Sequence, residues 1–137
     1  MNDWDKLYGA ALEVQNERSV SSFIEAGSVA AALLTGRGHI YRGVCIDTAC
    51  SLGMCVERNA IANMITNGED EIDKILIIMP DGRPGLPCGA CMELMMQLGA
   101  NGGETEILTD LSGFQTAKLK DLLPRWWGRP AENAARL

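Results

Sequence analysis

The sequence predicts an α/β domain in three layers, a mixed sheet of about five strands with helices on both faces. Three observations carry this. Two apolar runs, 29–35 and 75–79, show no polar alternation, as strands buried on both faces do. Segments with apolar residues at helical spacing lie around and between them. The 137 residues, 47% hydrophobic and 22% charged, suffice for one core and leave no room for a second, so 1–137 reads as a single domain.

Asn2 or Asp3 can cap a first helix with Leu7, Ala10, Ala11 and Val14 on one face, running to about Glu17. Residues 19–27 read as a loop that Phe23 and Ile24 anchor ahead of the first strand, 29–35. Gly36-Arg37-Gly38 is a tight turn, and 39–45 returns antiparallel. A loop of small and polar residues at 47–53 leads to a second helix. It starts near Met54 or Cys55, turns Ala60, Ile61, Met64 and Ile65 inward, and stops at Asn67-Gly68. The run at 75–79 is a second central strand, expected parallel to its neighbour because a helix intervenes. Pro80, Pro84 and Pro87 exclude helix and central strand from the loop at 80–87. A third helix starts at Cys88, carries Cys91, Leu94, Met95 and Leu98 inward, and ends at Gly99. Short strands at 106–109 and 114–117 follow, then a short helix at 119–123 closed by Pro124. Residues 130–137 are weakly patterned and read as a flexible tail.

Composition narrows the function. The net charge is −6 and no basic stripe is visible, which argues against a nucleic acid polymer as partner and for a small-molecule substrate. Met1-Asn2-Asp3-Trp4-Asp5 lacks the basic start and apolar run of a signal peptide, and no apolar stretch reaches the length of a membrane span. The expectation is a cytoplasmic protein without membrane association. Five cysteines, an odd number in such a chain, point to metal or catalytic use over a disulfide framework.

Two motifs supply the chemistry. Cys55-Val56-Glu57 and Pro87-Cys88-Gly89-Ala90-Cys91 each fall where a helix begins. Cys88 and Cys91, three apart, lie one helical turn apart and both reach inward. With Cys55 they make three soft ligands, which suit Zn²⁺ with one position left open. His39 is the one histidine, so a three-thiolate site is the natural reading. Three thiolates place three negative charges against two positive ones. The positive ends of two helices counter the excess, and Arg58 can donate to the sulfurs from outside the ligand shell. Read alone, Arg58 is also a solvated surface arginine and Glu57 a surface glutamate. Beside a metal, Glu57 can take a proton from water and deliver it to a ring nitrogen and then to a leaving amine. Hydrolytic deamination of an amino-heterocycle needs one carboxylate used in this way. The competing reading is a non-catalytic, structural zinc-binding domain in which Cys45 or Cys50 closes the site as a fourth ligand. The spacing from Cys50 to Cys55 is not that of a zinc knuckle.

These motifs, with Ala31-Ala32-Leu33-Leu34-Thr35, Ile40-Tyr41-Arg42-Gly43 and Asp121-Leu122-Leu123-Pro124, resemble the cytidine deaminase superfamily. The resemblance is to its small three-cysteine branch, which includes cytidine deaminase and blasticidin S deaminase. It runs from about Ser28 to Trp127. It implies a zinc-dependent hydrolase releasing ammonia from cytidine, deoxycytidine or a related aminopyrimidine nucleoside. The implied roles are Cys55, Cys88 and Cys91 on zinc, Glu57 as proton shuttle and Arg58 supporting the thiolates. The main chain of Val56 and Leu86 would meet the pyrimidine's oxygen and amine. Trp127, with Trp126 as substitute, would reach a neighbour's substrate in a homotetramer with shared active sites. Five positions depart from the pattern. Cys45 and Asp47 stand where Asn-x-Glu usually holds the ribose hydroxyls, Gly27 replaces an aromatic that stacks on the ring, and Met92-Glu93 replaces Arg-Gln. They bear on the ring's substituent, for which a nucleoside antibiotic such as blasticidin S, or another amino-heterocycle, is the alternative.

Overall fold

The computed structural model describes residues 1–128; the tail read at 130–137 lies outside the described residues. The chain runs α1 (Asp3–Val14), β1 (Arg18–Ser19), β2 (Ile24–Thr35), β3 (Ile40–Thr48), α2 (Val56–Thr66), β4 (Ile72–Ile78), α3 (Gly89–Met96), β5 (Glu106–Asp110), β6 (Gln115–Lys118) and α4 (Leu119–Leu122). A 3-10 turn at Gly102–Glu104 precedes β5.

Asn2 caps α1 in a reciprocal box with Asp5, and Trp4, Leu7 and Ala11 face inward. The helix ends at Val14, three residues before the expected stop, because Gln15 is extended. Gln15 donates through Nε2 to the carbonyls of Ser28 and Met79, both at 3.0 Å. The end of α1 thereby anchors the early part of β2 and the end of β4.

The described sheet has six strands, one more than expected, the addition being the two-residue β1. Its centre is β2, antiparallel to β3 on one side and β4 on the other. Alternate residues of β2 serve opposite faces. Ala30 and Ala32 pack with Leu76 and Ile78 under Trp4, Leu7 and Ala11 of α1. Leu33 packs with Ile75 and Ile107 under Ala60, Ile61 and Met64 of α2 and Cys91 and Met95 of α3. Being buried on both faces is what makes the run at 29–35 continuously apolar.

Three expectations change. The strand β2 begins at Ile24, so Phe23 is no anchor: it sits at a hairpin tip, 71% exposed. Ile65 faces solvent, the α2 stripe closing with Ile61 and Met64. The strand β4 is antiparallel to β2 and parallel only to β5. The crossover through α2 does join two strands of the same direction, β3 and β4, but β2 lies between them.

The strand β2 carries a bulge near its start. Ala26 pairs with Ile46 and Ala30 with Val44, so Gly27, Ser28 and Val29 stand opposite Cys45 alone. Three of the bulge's backbone groups find partners outside the ladder. Asn16 N–H donates to the Gly27 carbonyl at 2.9 Å, Gln15 to that of Ser28, and Val29 N–H to Cys45 Sγ at 3.4 Å. Gly27 has φ +90°, and a Cβ there would overlap the Asn16 carbonyl. Gly27→Ala therefore destabilises the fold by about 2–4 kcal/mol, combining backbone strain and overpacking. Urea unfolding measures this as a lower midpoint at unchanged slope.

Candidate active site

The chain positions its reactive sulfurs by starting helices at them. Cys55 is the N-cap of α2 and Cys88 the N-cap of α3, while Cys91 lies in the first turn of α3. Both helices follow strands of one direction, β3 and β4, so both start at the same end of the sheet. The three Sγ atoms lie within 4.8 Å of one another. Cys55 Sγ is 3.6 Å from Cys88 Sγ, and Cys88 Sγ is 3.3 Å from Cys91 Sγ. Two thiolates on one zinc, with bonds of about 2.3 Å at tetrahedral angles, stand about 3.8 Å apart. The donor set and its spacing fit zinc.

Neither Cys45 nor Cys50 joins this cluster among the described residues. Cys45 Sγ is engaged by Ser28 Oγ at 3.3 Å and by Val29 N–H. Cys50 is exposed and lies beside Thr48, whose hydroxyl donates to the Cys50 carbonyl at 2.8 Å. A fourth protein thiol, as a closed structural site would need, is not supplied. His39 is also occupied elsewhere: its Nδ1 lies 2.8 Å from the buried carboxylate of Glu69, at the opposite end of β3.

The electrostatics of the three sulfurs differ. Burial, then the Glu57 carboxylate beside it, pushes the Cys91 thiol far up. Burial and the neighbouring Cys88 sulfur push Cys55 up, against the lowering charge of Arg58. Burial also raises Cys88, but the first-turn N–H groups of Cys91 and Ala90 help carry it below the ordinary thiol value. Cys88 makes no geometrically closed capping bond, so this is the field of the helix N-terminus acting on sulfur.

Glu57, in the first turn of α2, is 4% exposed and lies against Cys91. Beside Cys55 opens a cavity of about 310 Å³ lined by Cys45, Asp47, Cys50, Met54 and Arg58, among others. It brings four of the sequence-predicted residues to one place. Val56 turns its side chain into the core against Ala31 and Ile77. Leu86 is exposed one loop away, and Trp127 lies on the α3 side of the molecule; neither lines this cavity. A cavity of about 670 Å³ lies between α1, β3 and α2 and contains none of the three cysteines.

Two residues were missed from sequence. Ser28 sits in the β2 bulge against Cys45. Glu93 accepts the indole N–H of both Trp126 and Trp127. Ser28 offered no signal apart from its place in a small-residue run. Glu93 was visible as a departure from Arg-Gln, with no hint of its partners.

The model of the cytidine and deoxycytidylate deaminase zinc-binding region matches residues 1–102, which include all three cysteines and Glu57. A cytidine deaminase of Halalkalibacterium halodurans is 34% identical over 99 residues, 70% of this chain and 74% of that protein. The crystal structure of cytidine deaminase from Burkholderia pseudomallei aligns with a TM-score of 0.73 at 28% identity, covering 93% of this chain and 100% of that one. That from Mycobacterium leprae aligns with a TM-score of 0.74 at 25% identity, covering 91% and 100%.

With Cys55 and Cys91 raised, both are thiols at neutral pH in the metal-free protein, and ligation must displace their protons. Zinc uptake is expected to release about two to three protons per ion and to weaken as pH falls. Calorimetric titration in two buffers of different ionisation enthalpy counts them, and Cys91→Ser releases fewer and binds more weakly.

Proposed function

The chain belongs to the cytidine and deoxycytidylate deaminase zinc-binding family, and from that membership we propose the hydrolytic deamination of cytidine or deoxycytidine with release of ammonia. The observation that carries this is one carboxylate, Glu57, buried against three converged thiols at the start of α2. Cys55, Cys88 and Cys91 would hold the zinc, which would supply the Lewis acidity that brings the pKa of water near 7.

The protein's own groups do the rest. Glu57 takes one proton of the attacking water to the ring nitrogen and then the remaining hydroxyl proton to the amine, which leaves as ammonia while the carbonyl forms, so one carboxylate serves as base and acid. Its burial keeps solvent from competing for that proton. Arg58, on the next position of α2, lowers Cys55 by its charge and so supports the thiolate form. Val56 N–H is an orphan donor of the α2 N-terminus and suits the pyrimidine oxygen. Leu86 contributes its carbonyl to the amine, a main-chain role compatible with an exposed side chain. Cys45 and Asp47, in the cavity next to Cys55, face the sugar. The thiol, already engaged by Ser28 and Val29, offers it little hydrogen bonding, which leaves Asp47 as the hydroxyl acceptor.

One domain carries this activity, and the active unit is a homotetramer in the cytoplasm. Supporting the tetramer, exposed apolar side chains collect in the loops at the metal end of the sheet: Phe23, Leu52, Met54, Met79 and Leu86. Trp127, also exposed, is the aromatic that reaches a neighbour's substrate. The cytoplasm supplies the reducing conditions that five free cysteines require. No helix among the described residues is long and apolar enough to cross a membrane.

Glu57→Gln is expected to keep stoichiometric zinc and to lose ammonia release from cytidine by about 10²- to 10⁴-fold. Zinc analysis beside an ammonia assay on cytidine, deoxycytidine, blasticidin S and free aminopyrimidines tests this. Turnover by the Gln variant at wild-type rate defeats the assignment of Glu57, and preferential turnover of a non-nucleoside defeats that of substrate. Sedimentation equilibrium should give a species about four times the 14.8 kDa chain.

A further inference from the structure

One side chain ties the segment after α4 to the metal-bearing helix. Glu93 stands on α3, two residues past Cys91. Its Oε1 accepts Trp126 Nε1–H at 3.1 Å and Trp127 Nε1–H at 3.0 Å. Its Oε2 accepts Gln97 Nε2 at 2.7 Å, one turn further along the helix. Three donors fix both oxygens, so the carboxylate is locked in place. The two indoles, held by the same oxygen, stand 5.3 Å apart between ring centroids with planes tilted by 49°. Gly128 backs this arrangement, because a Cβ there would overlap the Trp126 ring. Trp126 is half-buried, whereas Trp127 remains 56% exposed although its N–H points inward. The effect is an aromatic with its polar edge turned to the protein and much of its surface turned outward.

We propose that Glu93 is a positioning residue for the substrate site: by holding both indole N–H groups it fixes the Trp126–Trp127 pair on α3 and sets the face that Trp127 presents to the nucleoside of an adjoining subunit. This rests on the reading of Trp127 as a contact to a neighbour's substrate. Glu93 lies outside the three-cysteine cluster and the cavity beside Cys55, and acts through the indoles. Two tryptophans on one acceptor share one anchor, so the placement of each indole bears on that of the other.

The test uses the zinc-loaded enzyme and the variants Glu93→Ala, Glu93→Gln, Trp127→Ala, Trp127→Phe and the double Glu93→Ala/Trp127→Ala. Glu93→Ala is expected to raise KM for cytidine about tenfold, the size of one lost aromatic–base contact, with kcat within about threefold and zinc content unchanged. It should also abolish the exciton couplet of the paired indoles in circular dichroism. Glu93→Gln, which keeps an oxygen acceptor, retains most of the couplet and of the affinity. The double variant should be no worse than Trp127→Ala, as residues acting through one contact are not additive. A Glu93→Ala enzyme that loses the couplet at unchanged KM overturns the proposal while Trp127→Ala still raises KM. If Trp127→Ala leaves KM unchanged, the underlying reading of Trp127 fails instead. A fall in zinc content with Glu93→Ala also overturns it, since the effect then runs through α3 and its ligands. Should Glu93→Ala not fold, Trp127→Phe decides: it keeps a ring and drops the N–H, and an unchanged KM sinks the role of the hydrogen bond.

Discussion

Cys55 and Cys88 are 33 residues apart in the chain and 3.6 Å apart at sulfur, and the position of β2 between β3 and β4 closes that distance. Both outer strands run antiparallel to β2 and hence in one direction. Two strand spacings separate them, about 10 Å, which is also the distance at which helices pack side by side. A helix that follows each strand and returns over the same face must therefore start beside its counterpart. The small residues Ala30, Ala31 and Ala32 let both layers approach the sheet. On the α2 side Gly43 permits the closest contact, since a Cβ there would lie 2.5 Å from the Ala60 amide nitrogen. Packing at the centre of the sheet thus sets the sulfur positions at its end.

The helix starts are poor by the usual standard. Serine, threonine, aspartate or asparagine would cap α2 and α3 with a side-chain hydrogen bond, and cysteine forms none at either. Stability is given up where the site requires sulfur, as happens at functional positions in otherwise consistent sequences. The arrangement returns part of it electrostatically. Unpaired first-turn N–H groups face sulfurs that carry negative charge once a cation is bound, and Arg58 adds to this from the flank. Cys91 has burial and the Glu57 carboxylate against its ionised form, so its thiolate depends most on the metal.

Most of the fold and the metal ligands were legible because both are periodic or local. Continuous apolar runs marked β2 and β4, and a Cys-x-Glu and a Cys-x-x-Cys mark ligands whatever surrounds them. Register and pairing were not legible. Nothing in 72–78 distinguishes an antiparallel partner on one side from a parallel partner on the other, so the intervening helix was over-read. Phe23 was read inward on hydrophobicity alone, yet the hairpin that β1 makes with the start of β2 places it at an exposed tip. The Glu93–Trp127 contact, with a sequence separation of 34, has no pattern that announces it, because one hydrogen bond leaves no period.

Gly27 shows why a departure from a family pattern must be read in three dimensions. The family places an aromatic at this position to stack on the ring. Here the position lies inside a bulge, at φ +90°, with the Asn16 carbonyl where a Cβ would go. The backbone that excludes the side chain is held by Asn16 N–H, by Gln15 and by the Cys45 sulfur. Gly27 and Cys45 are therefore one structural change. The Cys45 thiol also satisfies the bulge that leaves no room for a side chain at 27. Restoring an aromatic at 27 alone would break the Asn16 contact, and restoring an amide at 45 alone would remove the sulfur from Val29 N–H. Positions 27 and 45 are thus coupled through the bulge of β2 and the sulfur opposite it on β3.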